Sequence, residues 1–396
     1  MSTQHLTFKV IKSYGMAIML LTALLLNACA TPAASQSSGV VDELTFQSGP
    51  FKVVGDLRLP PGNGPFPVVL FVHGDGPVDR TGSFVYLPIM ERMLQAGFAT
   101  FAWDKPGTGK STGELSEPDL RHQRAQILLD AIELMKTRPD IDPEKIGVWG
   151  ASQAGYVIPI ALTQTEDIAF VICVSCPGDS GHDQMVYQVM TMGLCQDDMS
   201  KEKSAEMDRL FKELDQNRSF VTYAGYLAYR KSVADLAALV PVSLDNWPVT
   251  PEEDWQANPI EDEDVWNPVA AVSQVKIPML AIFGDKDRNM DSLQAAFTYR
   301  KVLGEAGNPK SQVEVFPNAD HIILTSKTGC PDELQKTVSR FFILFAITHG
   351  LTSQEKVMAY VSDDPYRPGL MASIPYAPGY LDLMETWLRD LYVEEQ

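Results

Sequence analysis

Short apolar runs recur along this chain: Val68 to Val72, Phe98 to Trp103, Ile146 to Trp149, Ala169 to Val174 and Met279 to Phe283, each bounded by turn residues. Runs this short and this rich in Val, Ile and Phe read as strands buried on both faces. Helical patterns lie between them. Ala125, Leu128, Leu129, Ile132 and Met135 repeat at i, i+3, i+4, i+7 and i+10, one apolar stripe with the charges expected on the other face. Strand and helix alternation of this kind predicts an α/β fold, a mostly parallel central sheet flanked by helices. Leu44 to Gln47 and Phe51 to Leu59 read as an antiparallel entry hairpin.

The alternation pauses between Gly178 and about Val265, longer than a structureless connection can be. The expected organisation is a core over residues 42–177 and 266–396, with a helical cap inserted at 178–265. Met199 to Leu214 and Tyr223 to Ala238 carry helical patterns in the cap. Tyr223, Tyr226 and Tyr229, beside Phe220, are expected to pack the cap's own core, with a pocket lining as the alternative. Glu252-Glu253-Asp254 and Glu261-Asp262-Glu263-Asp264 read as solvated surface; their functional alternative is recognition of a substrate amine.

The first residues read as a targeting segment rather than as fold. Lys9 and Lys12 precede the apolar run Met16 to Leu26, which is short for a membrane span. Leu26-Asn27-Ala28-Cys29 then resembles the lipobox of bacterial lipoproteins, which implies a signal peptide over 1–28, lipidation of Cys29 and a membrane partner reached through that anchor. Acyl chains together give stable anchoring. Ala28-Cys29-Ala30 also reads as an ordinary cleavage site, so a secreted or periplasmic soluble form is the alternative to a lipid-anchored protein of the cell envelope. Residues 29–41, rich in Ser, Ala and Pro, form a flexible tether.

The net charge of −19 argues against nucleic-acid binding, which needs clustered Lys and Arg. Cys173, Cys176, Cys195 and Cys330 remain beyond Cys29. An oxidising compartment allows them three full pairings that sequence does not separate. Cys173 and Cys176 sit on a predicted strand, where extended geometry holds Cα atoms three residues apart beyond disulfide reach. A buried structural thiol is therefore the expectation for Cys173.

Chemistry concentrates where strands end. Ile146 to Gly155 is an apolar strand entering a turn of small residues, Gly150-Ala151-Ser152-Gln153-Ala154-Gly155, and then a helix. A serine on such a sharp elbow is held out at the sheet edge, and its neighbours must be small. The N–H of Gln153 is expected to donate to an oxyanion. A second donor is expected from the loop His73-Gly74-Asp75-Gly76-Pro77, at Asp75 or Gly76. His73 itself reads as a structural histidine. Phe283-Gly284-Asp285-Lys286-Asp287 ends one strand with two carboxylates, and the rule of alternating faces lapses past the strand end, leaving Asp285 and Asp287 both open. Among six histidines only His321, after the strand Val313 to Phe316, sits where a base is needed: His5 is in the targeting segment, His122 on a charged helix face, His182 at the start of the cap and His349 at a helix end. Gly109-Lys110-Ser111 lacks the leading glycine of a nucleotide-binding loop, since position 104 is Asp, and no two histidines have metal-ligand spacing. No cofactor is expected.

Taken in order, these motifs resemble the α/β-hydrolase superfamily. His73 to Gly82 is similar to the HGxGPxDRxG segment of bacterial capped hydrolases, the serine aminopeptidase-like or dienelactone hydrolase-like group. Asp104 to Ser111 resembles that group's DxRGxGxS turn, with Pro106 where Arg is usual. Ala377 to Tyr380 and Trp387-Leu388 look like its closing helix. The resemblance implies an α/β-hydrolase fold and a Gly-x-x-Asp acid, which selects Asp287. It implies a serine hydrolase with Ser152 as nucleophile, Asp287 as acid and His321 as base, cleaving a carboxylic ester of a small acyl substrate through an acyl-enzyme. Aminopeptidase, amidase or thioesterase chemistry on the same triad is the alternative; from another class, the alternative is a non-catalytic binding lipoprotein.

Overall fold

A computed structural model describes residues 41–392, apart from 116–118, 194, 196–200, 218–221, 240–248, 258–266, 308–309 and 368–369. Eight strands form one sheet: β1 (Val41–Ser48), β2 (Phe51–Arg58), β3 (Phe66–Val72), β4 (Ala99–Trp103), β5 (Ile141–Ala151), β6 (Phe170–Val174), β7 (Met279–Gly284) and β8 (Gln312–Phe316). Their spatial order is β1-β2-β4-β3-β5-β6-β7-β8. The expected hairpin β1–β2 is antiparallel and joins β4 antiparallel, while every pair from β4 through β8 is parallel. The helices are α1 (Leu87–Gln95), α2 (Leu120–Lys136), α3 (Ala154–Leu162), α4 (Gly181–Gly193), α5 (Lys201–Asn217), α6 (Tyr223–Ala237), α7 (Glu252–Ala257), α8 (Val269–Val272), α9 (Ser292–Glu305), α10 (Pro331–Thr348), α11 (Gln354–Asp363) and α12 (Tyr380–Leu391).

Side chains alternate across the pleat, so each strand serves two cores. Val68, Leu70 and Val72 face a cluster with α2, α3 and α9. Val69 and Phe71 face the opposite cluster with α1, α10, α11 and α12. A third cluster joins Val189 of α4, Leu210 and Leu214 of α5, and Tyr229, Val233 and Leu236 of α6. Tyr226 and Tyr229 are buried as expected, and Tyr223 and Tyr226 gather around Trp255. Glu252 and Glu253 are exposed. Phe220, the run Glu261 to Asp264, the Met16 to Leu26 segment and Cys29 lie outside the described residues. Among the described residues no helix is long and apolar enough to cross a membrane.

Two expectations are corrected. Cys173 and Cys176 are disulfide-bonded, with Cα atoms 5.7 Å apart. The extended-strand argument fails because β6 ends at Val174 and Ser175 takes φ +48°, which folds Cys176 back towards Cys173. A second disulfide joins Cys195, just past α4, to Cys330 at the start of α10. The stripe on α2 also carries charge: Arg121 and Arg124 are buried beside Ala125 and Leu128 rather than on the outer face.

Candidate active site

The parallel strands deliver their carboxyl ends to one edge, where α/β sheets place their chemistry. Ser152 follows β5 at φ +54°, an unusual conformation for a residue with a side chain. Its N–H donates to the Val174 carbonyl at 2.9 Å, and its carbonyl accepts from the Gly155 N–H at 2.8 Å, so the turn is fixed on both sides. Gly150 must lack a side chain: a Cβ there would sit 2.8 Å from the Ala154 Cβ and 2.5 Å from Ile158 Cδ1. Alanine at 154 is accommodated because residue 150 gives way.

His321 Nε2 lies 2.9 Å from Ser152 Oγ, and its Nδ1 lies 2.7 Å from Asp287 Oδ2. The other Asp287 oxygen accepts the Asn289 and Met290 N–H groups at 2.8 and 3.1 Å, which turns the carboxylate towards the imidazole. Asp285 points elsewhere, paired with Lys286 at 2.9 Å. Asp320 is spent on its own loop, accepting from the N–H groups of Ile322 and Leu324, and burial pushes it up to about 6. Burial works against a charged His321, but Asp287 outweighs it and holds the imidazole above its usual range.

Helix α4 reaches this site. From α4, the Tyr187 hydroxyl donates to the Asp287 carbonyl at 3.1 Å, and the Thr191 hydroxyl to that of Arg288 at 2.6 Å. Losing α4 would therefore release the backbone around Asp287.

His73 is buried and structural, as the sequence suggests. Its Nε2 faces the Trp103 carbonyl, an acceptor only, and therefore carries the proton; Nδ1 meets the Tyr86 hydroxyl at 3.4 Å. Burial and the nearby Lys105 push it down to about 3. The backbone that follows passes against Ser152: a Cβ on Gly74 would lie 3.3 Å from Ser152 Cβ. Two buried cations that sequence reasoning missed hold this loop. Lys105 Nζ donates to the carbonyls of Gly74 and Gly76 at 2.6 and 2.7 Å. Arg124 donates to the His73 carbonyl and to Gln153 Oε1, and Gln153 Nε2 donates to Asp75 Oδ1 at 3.1 Å. The one available signal for Arg124 was its place on the apolar stripe of α2.

Among the described residues no group of three or more His, Cys, Asp or Glu is arranged to hold a metal ion.

Residues 69–334 match the family described as "Alpha/beta hydrolase family". The chain belongs to that family, and its sheet has the architecture the resemblance implied. Among curated proteins it is 28% identical over 117 residues to an Escherichia coli protein, "Uncharacterized 31.7 kDa protein in traX-finO intergenic region", covering 29% of this chain and 39% of that one. It is also 28% identical over 127 residues to "Thiohydrolase aneE" of Aspergillus aculeatus, covering 32% and 38%. The chain thus spans about two-fifths of the length of these relatives. Among solved structures it is similar to the Pyrococcus furiosus esterase Pf2001, with 17% identity, TM-score 0.46, and 76% of this chain and 89% of that one covered.

Proposed function

We propose that this protein is a serine hydrolase that cleaves a carboxylic ester in two steps. Ser152 attacks the carbonyl while His321 takes its proton, and Asp287 orients and stabilises the resulting imidazolium. Backbone N–H groups, one from Gln153 and one from the loop at Asp75 or Gly76, hold the oxyanion. Water then cleaves the acyl-enzyme with His321 again as base. The observation that carries the reading is the unbroken chain Ser152 Oγ to His321 to Asp287, at 2.9 and 2.7 Å, on a serine held at φ +54°. A fluorophosphonate probe tests it: the wild type is labelled at Ser152, and a folded wild type that resists labelling contradicts the assignment and favours a binding lipoprotein.

Thioester cleavage on the same residues is the second reading, favoured by the likeness to a thiohydrolase. Parallel assays on a p-nitrophenyl ester and the matching acyl thioester separate the two. The lipobox-like Leu26 to Cys29 supports a lipid-anchored protein of the bacterial cell envelope with residues 1–28 removed. Cys29→Ser is expected to leave the membrane fraction, and a mature N-terminus at Thr31 would instead establish simple secretion.

A further inference from the structure

The loop between His73 and Pro77 has several backbone N–H groups, and only its fixed orientation decides which can meet an oxyanion. In a trans peptide the C=O and the following N–H point in opposite directions. Anchoring a carbonyl on one side of the loop therefore aims the next N–H to the other side. Three carbonyls here are anchored by the two buried cations: His73 by Arg124, and Gly74 and Gly76 by Lys105. Their partner N–H groups belong to Gly74, Asp75 and Pro77. Pro77 has none. The Gly74 N–H lies on the side of the Tyr86 hydroxyl. That leaves the N–H of Asp75, on backbone that passes directly against Ser152.

We infer that Lys105 and Arg124 are positioning residues for the oxyanion hole, and that the loop donor they set is the N–H of Asp75. The inference rests on the serine-hydrolase reading above. Arg124 also couples the two donor residues, because the Gln153 side chain accepts from Arg124 and donates to Asp75. Lys105 is buried, and no carboxylate lies within ion-pair distance of it among the described residues, so its burial is a cost to folding. Burial beside Arg124 pushes it down to about 6. On losing a proton the amine keeps two N–H groups, enough for its two carbonyls, so the clamp holds on both sides of that value.

The test uses the full-length enzyme and the variants Lys105→Met, Arg124→Met and Arg124→Lys. It follows kcat and KM on p-nitrophenyl butyrate and the rate of fluorophosphonate labelling. Losing one oxyanion-hole donor costs about 10²- to 10³-fold. Loosening a donor costs less, so Lys105→Met and Arg124→Met are expected to lose about 10- to 100-fold in kcat with KM little changed. Labelling is expected to slow in the same proportion, and Arg124→Lys to recover most of the rate. A folded Lys105→Met with wild-type kcat and labelling overturns the inference, even if its melting temperature falls. Should that variant not fold, Lys105→Gln, which keeps one donor group, is expected to lie between; wild-type kcat there overturns it equally. An unlabelled wild type removes the serine-hydrolase reading itself, whereas a labelled wild type with unaffected variants removes only the clamp.

Discussion

Two histidines stand at the same edge of the sheet, one past β3 and one past β8, and their surroundings drive them in opposite directions. His73 lies among cations, Lys105 and Arg124, in a fully buried setting that keeps it neutral down to about 3. His321 is only partly buried, and Asp287 and Asp320 raise it above the usual imidazole range. The first ring is fixed between a carbonyl and a tyrosine hydroxyl; the second joins a carboxylate to a serine. On the proposed mechanism, neighbouring charge, not residue type or position along a strand, separates the structural histidine from the base. The same contrast divides the site into a cationic half, Lys105 and Arg124 at the His73 loop, and an anionic half, Asp287 at His321.

The sharpest way to break this comparison is to remove each ring. Ser152→Ala and His321→Ala are each expected to lower kcat by about 10⁴-fold or more in a folded protein. His73→Asn is expected to stay well short of the ~10²-fold that loss of a proton-transfer group costs. Kinetics on circular-dichroism-matched variants decide it, and equal losses at both histidines would erase the distinction.

Within the anionic half, Asp287→Asn should lower kcat by about 10³- to 10⁴-fold, as loss of a triad acid does. Asp285→Asn should stay below ~10²-fold, since its carboxylate meets Lys286 rather than the ring. If Asp285→Asn proves the more damaging change, the acid is Asp285.

The two rings should also differ in their pH signatures. A base must be neutral, so the acid limb of kcat/KM is expected above the ordinary imidazole value of about 6.5. Asp287→Asn removes the charge that raises His321 and should move that limb down; a wild-type limb below 6.5 contradicts the assignment. His73 acts on stability instead. Its folded value lies near 3 against about 6.5 unfolded, so the unfolded chain binds the extra proton between the two. Stability is lost as pH falls through that window, by at most about 1.4 kcal/mol per pH unit. His73→Asn cannot titrate, so urea melts between pH 6.5 and 4 should show a shallower decline than wild type.

Legibility followed the range of the contacts. That Ser152 and His321 meet could be read because their positions depend on local features: a strand, a turn of small residues and a strand end. Asp287 could not be separated from Asp285 by periodicity, because the carboxylate is aimed by the Asn289 and Met290 N–H groups past the strand end. The Cys173–Cys176 bridge was hidden by one residue, Ser175, leaving extended geometry. Lys105 and Arg124 act on residues 31 and 51 positions earlier, Gly74 and His73, so no local pattern announces them. Of α10 only the end at His349 was anticipated, and α11 was not; Ile343, Leu344 and Ile347 of α10 are exposed, which blurs its apolar pattern.

The central claim is that Ser152 carries the acyl group between the two steps. Mixing the enzyme with a slowly deacylating p-nitrophenyl ester, quenching in acid and measuring the intact mass tests this most directly. The expected result is a gain of one acyl group, mapped by peptide digestion to Ser152 and absent from Ser152→Ala. Continued hydrolysis without an adduct, or an adduct on another residue that persists in Ser152→Ala, would contradict it.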